Sequence, residues 1–231
     1  MLIIGHRGAS GTAPENTLAS FEKAIRLGVK MVELDVHRCA SGELVVIHDE
    51  NINRTTSGKG LVSDKTLKEL KRFDAGNGEK IPTLREVLNG INHRAKINIE
   101  LKGADVATST VELLDEYKKD YGWEVEDFCV SSFDHQQLRQ FRKLDNITNI
   151  GILYERKPHG FSEMATVLRA FSVNISLHAV SPDLVKEIHD SGLEVWVYTV
   201  NKLHDINLLE SMGVDAVFTN YPEKFIDTSS G

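Results

Sequence analysis

The chain of 231 residues is 41% hydrophobic and 26% charged, and its formal net charge at pH 7 is -7. This composition is typical of a folded globular protein and excludes a disordered or fibrous one. The negative net charge, together with the lack of any dense Lys and Arg cluster in the sequence, excludes nucleic acid as the main partner.

No apolar run in the sequence approaches the roughly 20 residues that a bilayer-spanning helix needs. The first residues run directly into a strand pattern and lack the basic and apolar regions of a signal peptide. We therefore expect a cytoplasmic protein with no stable membrane association. Cys39 and Cys129 are far apart and have no Cys or His neighbour at zinc-type spacing, so we expect two free thiols.

Short apolar runs alternate with amphipathic segments along the whole chain. The apolar runs predict strands at residues 2–4, 32–36, 44–47, 97–101, 128–130, 150–154, 173–177, 195–200 and 216–218. The amphipathic segments predict helices at residues 18–28, 64–72, 84–88, 106–119, 136–144, 162–171, 182–192 and 205–212. This amounts to about eight strand-helix units with short links, which predicts a parallel sheet.

A single TIM (β/α)8 barrel over residues 1–231 accounts for this alternation and for the length better than two separate domains do. The doubly wound open sheet is the alternative, because it alternates strands and helices in the same way, although no G-x-G-x-x-G or Walker motif supports it. The polar, glycine-containing residues 51–82, after the strand that ends at His48, predict a small insertion in which Arg54 braces the loop. We expect the low-complexity residues 228–231 to fray.

Two predicted strands carry charged residues at a spacing of two. Because side chains alternate along a strand, Glu33 and Asp35 share one face, and Glu100 and Lys102 share one face. One interpretation is that these are the wet faces of half-exposed strands, which is the ordinary meaning of polar alternation. The other is that both strands aim acids at one site, where a cation or a phosphate completes the charge balance.

In a parallel barrel the functional groups collect at the carboxyl ends of the strands. His6 and Arg7 leave the first predicted strand, and His48 and Asp49 leave the third. We expect these residues to converge with the charged pairs described above. Two histidines, three carboxylates and two cations, all at strand exits, favour an active site over wet strand faces.

The acids indicate what kind of metal such a site would hold. The carboxylates of Glu33, Asp35 and Glu100 supply hard oxygen ligands, which suit Mg²⁺ or Ca²⁺. A zinc site is less favoured, because neither thiolates nor clustered imidazoles accompany these acids.

The remaining residues indicate the reaction. Arg7 and Lys102 supply positive charge for phosphate oxygens, and the planar fork of Arg7 suits them especially. His6 and His48 can exchange protons near neutral pH. Together with a metal, these groups predict phosphoryl transfer, in which one histidine takes a proton from the attacking oxygen and the other delivers one to the leaving oxygen.

Short motifs occur in a fixed order along essentially the whole chain. They are His6-Arg7-Gly8, Pro14-Glu15-Asn16-Thr17, Glu33-Leu34-Asp35-Val36, Val46-Ile47-His48-Asp49, Arg54-Thr55-Thr56, Glu100-Leu101-Lys102, Ser131-Ser132-Phe133-Asp134, Tyr198-Thr199-Val200-Asn201 and Thr219-Asn220-Tyr221-Pro222. Each motif is short, but their order and spacing are specific. In these motifs the chain resembles the glycerophosphodiester phosphodiesterases.

The resemblance implies a TIM barrel with a small insertion after the His48 strand and a divalent cation held by Glu33, Asp35 and Glu100. It implies His6 and His48 as the acid/base pair. The implied reaction cleaves small glycerophosphodiesters, such as glycerophosphocholine, to glycerol 3-phosphate and an alcohol. In that family the glycerol 2-hydroxyl is thought to attack phosphorus, and water then opens the resulting cyclic phosphate.

The chain departs from the family's usual pattern at three places. Residues 37–42 replace a Thr-Lys-Asp-Gly turn, which should leave the site unchanged. Tyr198 stands where a Trp is usual, with Trp196 two residues earlier on the same face. Phe133, Trp196 and Tyr198 are candidates for a substrate wall, with the core as the alternative position for Phe133 and Trp196. Asn220-Tyr221 replaces a pair such as Asp-Arg, and we assign it no role.

Two other functions remain as alternatives. One is a phospholipase D-like or lysophospholipase D-like enzyme with the same barrel, although residues 51–80 lack the apolar or basic lip that membrane access would need. The other is a non-catalytic barrel that binds metal or phosphate, which the presence of both His6 and His48 disfavours.

Overall fold

The computed structural model describes residues 1–158 and 160–226. Within these ranges the strands are β1 (Leu2–His6), β2 (Met31–Arg38), β3 (Leu44–Val46), β4 (Lys96–Leu101), β5 (Phe128–Ser132), β6 (Asn149–Tyr154), β7 (Ser172–Ser176), β8 (Glu194–Tyr198) and β9 (Ala216–Thr219). The α-helices are α1 (Leu18–Arg26), α2 (Leu67–Leu70), α3 (Leu84–Ile91), α4 (Ala107–Asp120), α5 (His135–Leu144), α6 (Phe161–Leu168), α7 (Pro182–Asp190) and α8 (Leu203–Ser211). The expected fraying of residues 228–231 falls outside the described residues.

Eight of these strands form a closed parallel barrel. Its strand order is β1-β9-β8-β7-β6-β5-β4-β2, and the parallel pairing of β1 with β2 closes the ring. The TIM-barrel prediction is therefore confirmed, and the closure excludes the doubly wound open sheet. Helices lie between successive strands, as the right-handed crossover of parallel strands requires.

The remaining strand, β3, corrects the sequence-based count of strand-helix units. It pairs antiparallel with β2, with Val36 opposite Val46 and Arg38 opposite Leu44. The link between β2 and β3 has only five residues, whereas a parallel crossover needs about a dozen, so a hairpin is the only connection it allows. Because β3 runs back toward the barrel, the chain returns to the barrel mouth at residue 47, where the Ile47 N–H donates to the Asp35 carbonyl at 3.0 Å.

Helix starts follow their local sequence closely. The Thr17 hydroxyl caps α1 by accepting from the Ser20 N–H, and Thr83 forms a capping box with Glu86 at the start of α3. The helix predicted at residues 64–72 is shorter than expected, because only Leu67–Leu70 is helical after the Thr66 cap.

Apolar side chains fill the lower part of the barrel interior, toward the amino ends of the parallel strands. Inward-facing residues of several strands form one apolar cluster there, which comprises Ile4, Met31, Cys129, Trp196, Ala216 and Phe218. Separate apolar layers lie between the sheet and the surrounding helices. The upper end of the barrel is thus left for polar side chains.

The segment between β3 and α3 has a small core of its own. Ile47, Ile52, Val62, Leu70 and Ile81 are buried there against the β2-β3 hairpin. This is the small insertion predicted after the His48 strand. The assignment of residues 1–231 to one domain with an insertion at 51–82 stays a prediction.

Both cysteines are free and buried, as expected. Burial raises the pKa of the Cys129 thiol to about 12, so this residue is an inert filler of the barrel. Among the helices of the described residues, none has the length and apolar character needed to cross a membrane.

Candidate active site

A cavity of about 170 Å³ opens at the mouth of the barrel. It is lined by His6, Arg7, Glu33, His48, Asn98, Glu100, Lys102, Ser131, Phe133, Leu153, Tyr198, Thr199 and Phe218. Nearly all the predicted site residues are among them. A larger groove of about 560 Å³ lies outside the barrel, but its lining residues are different, and of its four acids Glu43, Glu86 and Glu112 are exposed and Glu116 is half-exposed.

The three predicted acids lie together on neighbouring strands. In the pairing of β2 with β4, Glu33 is opposite Asn98 and Asp35 is opposite Glu100. Glu33, Asp35 and Glu100 are 2%, 0% and 8% exposed, so the interpretation of wet strand faces is wrong. One carboxylate oxygen from each lies within 4.8 Å of the other two.

Burial and mutual proximity shift Glu33 and Glu100 toward their protonated forms. Burial, together with the charges of Asp35 and Glu100, raises the pKa of Glu33 well above its ordinary value. Burial and the Asp35 charge raise the pKa of Glu100 to about 7. Without a positive charge nearby, the ionised carboxylates of such a cluster would destabilise the folded protein at neutral pH.

Two oxygens of this cluster suggest what compensates it. Glu33 Oε1 and Asp35 Oδ1 are buried and have no hydrogen-bond partner among the described residues. A buried acceptor without a partner costs about 1–3 kcal/mol, and hard oxygens of this kind are the ligands of divalent cations. The cluster of Glu33, Asp35 and Glu100, called here the acidic cluster, therefore fits a divalent metal ion.

The two predicted cations lie beside the acidic cluster. Arg7 Nε is 3.3 Å from Asp35 Oδ2, and Lys102 Nζ is 3.0 Å from Glu100 Oε1. The Arg7 backbone N–H also donates to Glu33 Oε2 at 2.9 Å. Arg7 has a φ of 56° and Gly8 a φ of 81°, a turn that aims the Arg7 N–H inward. A Cβ on Gly8 would lie 2.6 Å from the Ser20 carbonyl carbon, which explains the glycine.

His6 is held by an amide that the sequence analysis left without a role. Its Nδ1 lies 2.6 Å from Asn220 Oδ1, and its Nε2 is 3.9 Å from Glu33 Oε2. Because an amide oxygen only accepts, Nδ1 carries the proton and Nε2 is left as a free base. Burial, reinforced by the charge of Arg7, lowers the pKa of His6 to about 4, so the ring is neutral at pH 7.

His48 is held by a carboxylate instead. Its Nδ1 donates to Asp49 Oδ1 at 2.6 Å, and His37 Nε2 donates to the His48 carbonyl at 3.0 Å. Hydrogen bonds from Arg54 and His48 hold the pKa of Asp49 well below its usual range, although burial opposes this. The imidazole thus has a fixed charged partner on one nitrogen and its other nitrogen available to the cavity.

Arg54 connects the two loops that carry the histidines. Its guanidinium donates to Asp49 Oδ2 at 2.7 Å and to both Glu15 oxygens at 2.8 Å. Glu15 also accepts from Arg7 Nη1 at 2.9 Å. These hydrogen bonds lower the pKa of Glu15 to about 2, against the opposing effect of burial. Arg54 does more than brace the insertion, because it connects the loop of His48 to the loop of His6.

We expect Arg54→Gln to lower kcat about 10-fold or more while the melting temperature changes little. The ion pairs of Arg54 are half-exposed and add little stability, but small displacements of catalytic groups are costly. Steady-state kinetics and a thermal melt measure the two effects. Arg85→Gln is the matched control, because Arg85 makes a similarly exposed bidentate pair with Glu116 away from the site. Equal kcat in both variants would contradict the connecting role.

Other residues of the site were also missed by the sequence analysis. Asn16, quoted there only as part of a motif, has a φ of 58° and donates through Nδ2 to Asp35 Oδ2 at 2.8 Å. Glu15 was part of a quoted motif but received no role. Asn220 follows directly on β9, so the strand-exit rule that selected His6 would also have found it.

Two of the three aromatic residues predicted as a substrate wall line the cavity. Phe133 and Tyr198 line the cavity edge to face, with ring centroids 5.8 Å apart, and the Tyr198 hydroxyl donates to the Tyr154 carbonyl. Trp196 is a correction. It faces inward like Tyr198 but lies two residues earlier on β8, about 6.6 Å deeper in the barrel. There it is 2% exposed and packs on Phe171 and Phe218, below the cavity.

The closed parallel barrel, with its titratable groups collected at the carboxyl ends of the strands, defines a TIM-barrel enzyme. The sequence model of the "Glycerophosphoryl diester phosphodiesterase family" matches residues 6–224. The chain therefore belongs to the glycerophosphoryl diester phosphodiesterase family, and it is a phosphodiesterase.

Individual relatives agree with this assignment. A glycerophosphodiester phosphodiesterase of Caldanaerobacter subterraneus subsp. tengcongensis is 38% identical, covering 98% of this chain and 96% of its own. One from Bacillus altitudinis is 35% identical, covering 97% and 96%. The structure of an Oleispira antarctica phosphodiesterase in complex with the product sn-glycerol-3-phosphate superposes with a TM-score of 0.90, at 33% identity and 97% and 94% coverage.

Proposed function

We propose that this enzyme hydrolyses glycerophosphodiesters to glycerol 3-phosphate and an alcohol, with His6 and His48 as its acid/base pair and Mg²⁺ or Ca²⁺ in the acidic cluster. The observation that carries the proposal is that one small cavity is lined by both histidines and by Glu33 and Glu100 of the acidic cluster, with Asp35 beside them. The product bound to the Oleispira relative supports a small-molecule substrate.

The acidic cluster, Glu33, Asp35 and Glu100, would hold the metal through its hard oxygens. When bound, a divalent cation would offset the negative charge of the carboxylates and of the phosphodiester. Arg7 and Lys102 would add positive charge on the cavity side and bind the non-bridging phosphate oxygens.

The histidines would move the protons. With the proton of His6 on Nδ1, its Nε2 can accept or return a proton at the cavity. The hydrogen bond of His48 to Asp49 leaves its own Nε2 free for the same purpose. One histidine, with its Nε2 unprotonated, takes the proton of the attacking glycerol 2-hydroxyl, while the other enters the step with a proton on its Nε2 and passes it to the leaving alcohol oxygen. The cyclic phosphate so formed is then opened by water with the two roles exchanged.

The proposal predicts release of glycerol 3-phosphate from glycerophosphocholine that a chelator abolishes and added Mg²⁺ or Ca²⁺ restores. A coupled assay for glycerol 3-phosphate measures this directly. If folded protein with metal released none from glycerophosphocholine, glycerophosphoethanolamine or glycerophosphoglycerol, the proposed function would be wrong. If the chelator left the release of glycerol 3-phosphate unchanged, the metal would have no part in the reaction.

The cavity volume of about 170 Å³ also favours a small-molecule substrate over a nucleic acid or a membrane lipid as the partner of this enzyme. The cytoplasmic location inferred from the sequence stays a prediction.

A further inference from the structure

The floor of the cavity carries an amide whose oxygen faces no partner. Asn98 points inward from β4 two residues before Glu100, which places it about 6.6 Å deeper in the barrel. Its side chain is 1% exposed, and its Nδ2 donates to Ser131 Oγ at 3.0 Å. Asn98 Oδ1 has no hydrogen-bond partner within the described residues. The floor thus offers one fixed, unsatisfied acceptor to whatever occupies the cavity.

This acceptor is uncharged, although Asn98 lies opposite Glu33 in the pairing of β2 with β4. The apolar side chains of Leu153 and Phe218 line the same cavity, and the cations Arg7 and Lys102 lie beside Asp35 and Glu100. A ligand with an anionic end and a neutral hydroxyl end would therefore bind with its anionic end at Arg7 and Lys102 and its hydroxyl at Asn98. An unpaired buried acceptor destabilises the complex, and a hydroxyl donor on the ligand would remove this cost.

We propose that Asn98 Oδ1 accepts a hydrogen bond from the terminal primary hydroxyl of the substrate's glycerol unit, so that the enzyme selects diesters in which this hydroxyl is free. The inference rests on the proposed function, in which the phosphodiester lies at Arg7 and Lys102. The three-carbon unit then extends downward, and its end meets the amide.

The same arrangement excludes lipid substrates. An acyl chain on the terminal hydroxyl removes the donor and leaves the Asn98 oxygen unpaired. It would also have to pass into the barrel interior, which the buried side chains of Ile4, Met31, Trp196 and Phe218 fill. A lysophospholipid should therefore be a poor substrate even though it retains the attacking 2-hydroxyl. This argues against the lysophospholipase D-like alternative.

The test compares three choline diesters by choline release. Glycerophosphocholine is the reference, 2-hydroxypropyl phosphocholine lacks only the terminal hydroxyl, and lysophosphatidylcholine carries an acyl chain on it. We expect kcat/KM of the wild type to be about 10- to 100-fold lower for the hydroxypropyl compound, the loss expected for an unpaired buried acceptor. Lysophosphatidylcholine should be hydrolysed more slowly still.

Asn98→Ala should remove most of this preference, because it should lower kcat/KM for glycerophosphocholine and change kcat/KM for the hydroxypropyl compound little. The matched control is Asn174→Ala. Asn174 is another buried amide with an unpartnered atom, but it faces the barrel interior beside Ser172 and does not line the cavity. It should keep the wild-type preference.

Three outcomes would overturn the proposal. They are equal kcat/KM of the wild type for the first two substrates, an unchanged preference in Asn98→Ala, and hydrolysis of lysophosphatidylcholine as fast as that of glycerophosphocholine. The first and third outcomes are measured on the wild type, so the proposal can be tested even if Asn98→Ala folds poorly. Failure of the proposed function is distinct, because it would appear as no release from glycerophosphocholine itself.

Discussion

Replacing His6 or His48 by Ala is expected to lower kcat for glycerophosphocholine by about 10²- to 10⁴-fold, the usual contribution of a general acid or base. Each ring places one nitrogen in the cavity and is anchored through the other, His6 by Asn220 and His48 by Asp49. Neither replacement removes a carboxylate of the acidic cluster, so metal affinity and fold should persist. Steady-state kinetics, a metal titration and a thermal melt measure the three quantities.

His189→Ala is the matched control for His48→Ala. His189 Nε2 pairs with Asp215 Oδ2 at 2.8 Å, just before β9 begins at the opposite end of the barrel. This variant also loses a carboxylate-paired imidazole, but it should retain full activity. Near-normal turnover in both His6→Ala and His48→Ala would remove the two histidines from the mechanism.

Replacing Glu100 by Gln is expected to raise the metal concentration for half-maximal activity about 10-fold or more, because an amide is a weaker ligand than a carboxylate for Mg²⁺ or Ca²⁺. Calorimetric titration of the metal gives an independent measure. Glu116→Gln, on the protein surface, is the control and should leave the titration unchanged. An unaltered metal requirement in Glu100→Gln would mean that Glu100 is not a ligand.

The same variant has a second effect in the metal-free protein. Burial raises the pKa of Glu100 to about 7, so the folded state holds this proton more tightly than the unfolded state does. Ionisation of Glu100 therefore destabilises the fold as the pH rises from its unfolded value near 4.5 through 7. With a chelator present, Glu100→Gln should raise the free energy of unfolding relative to wild type at pH 8, on the order of 3 kcal/mol. This difference should have nearly vanished at about pH 4, below the unfolded pKa, and a pH-independent difference in urea unfolding would contradict this origin.

The predicted strands were sound where alternation was clear, and most differ from the structure by only one or two residues. The third strand was wrong in direction, because periodicity reports which face a side chain takes and not which neighbour a strand pairs with. His48 reaches the site because β3 runs back to the barrel, and not because a parallel strand ends there. The correct residue was thus found by an incorrect route.

Alternation along β8 predicts which face a side chain takes but not how deep in the barrel it lies. Alternation correctly placed Trp196 and Tyr198 on one inward face. Depth along the barrel then separated them, because two residues of a strand span about 6.6 Å. Only Tyr198 reaches the cavity, and Trp196 became part of the packed interior.

The sequence alone is enough to predict a parallel strand-helix fold, the acidic cluster and His6, because the spacing of side chains along a strand is a local property. Closure of the barrel, the direction of β3 and the hydrogen bonds that orient the site, such as those between Asn220 and His6 and from Arg54 to Asp49 and Glu15, emerge only in the folded chain. The first pair is 214 positions apart in the chain. No local pattern encodes such contacts, since they exist only after closure of the barrel brings its first and last strands together and folds the insertion over the mouth.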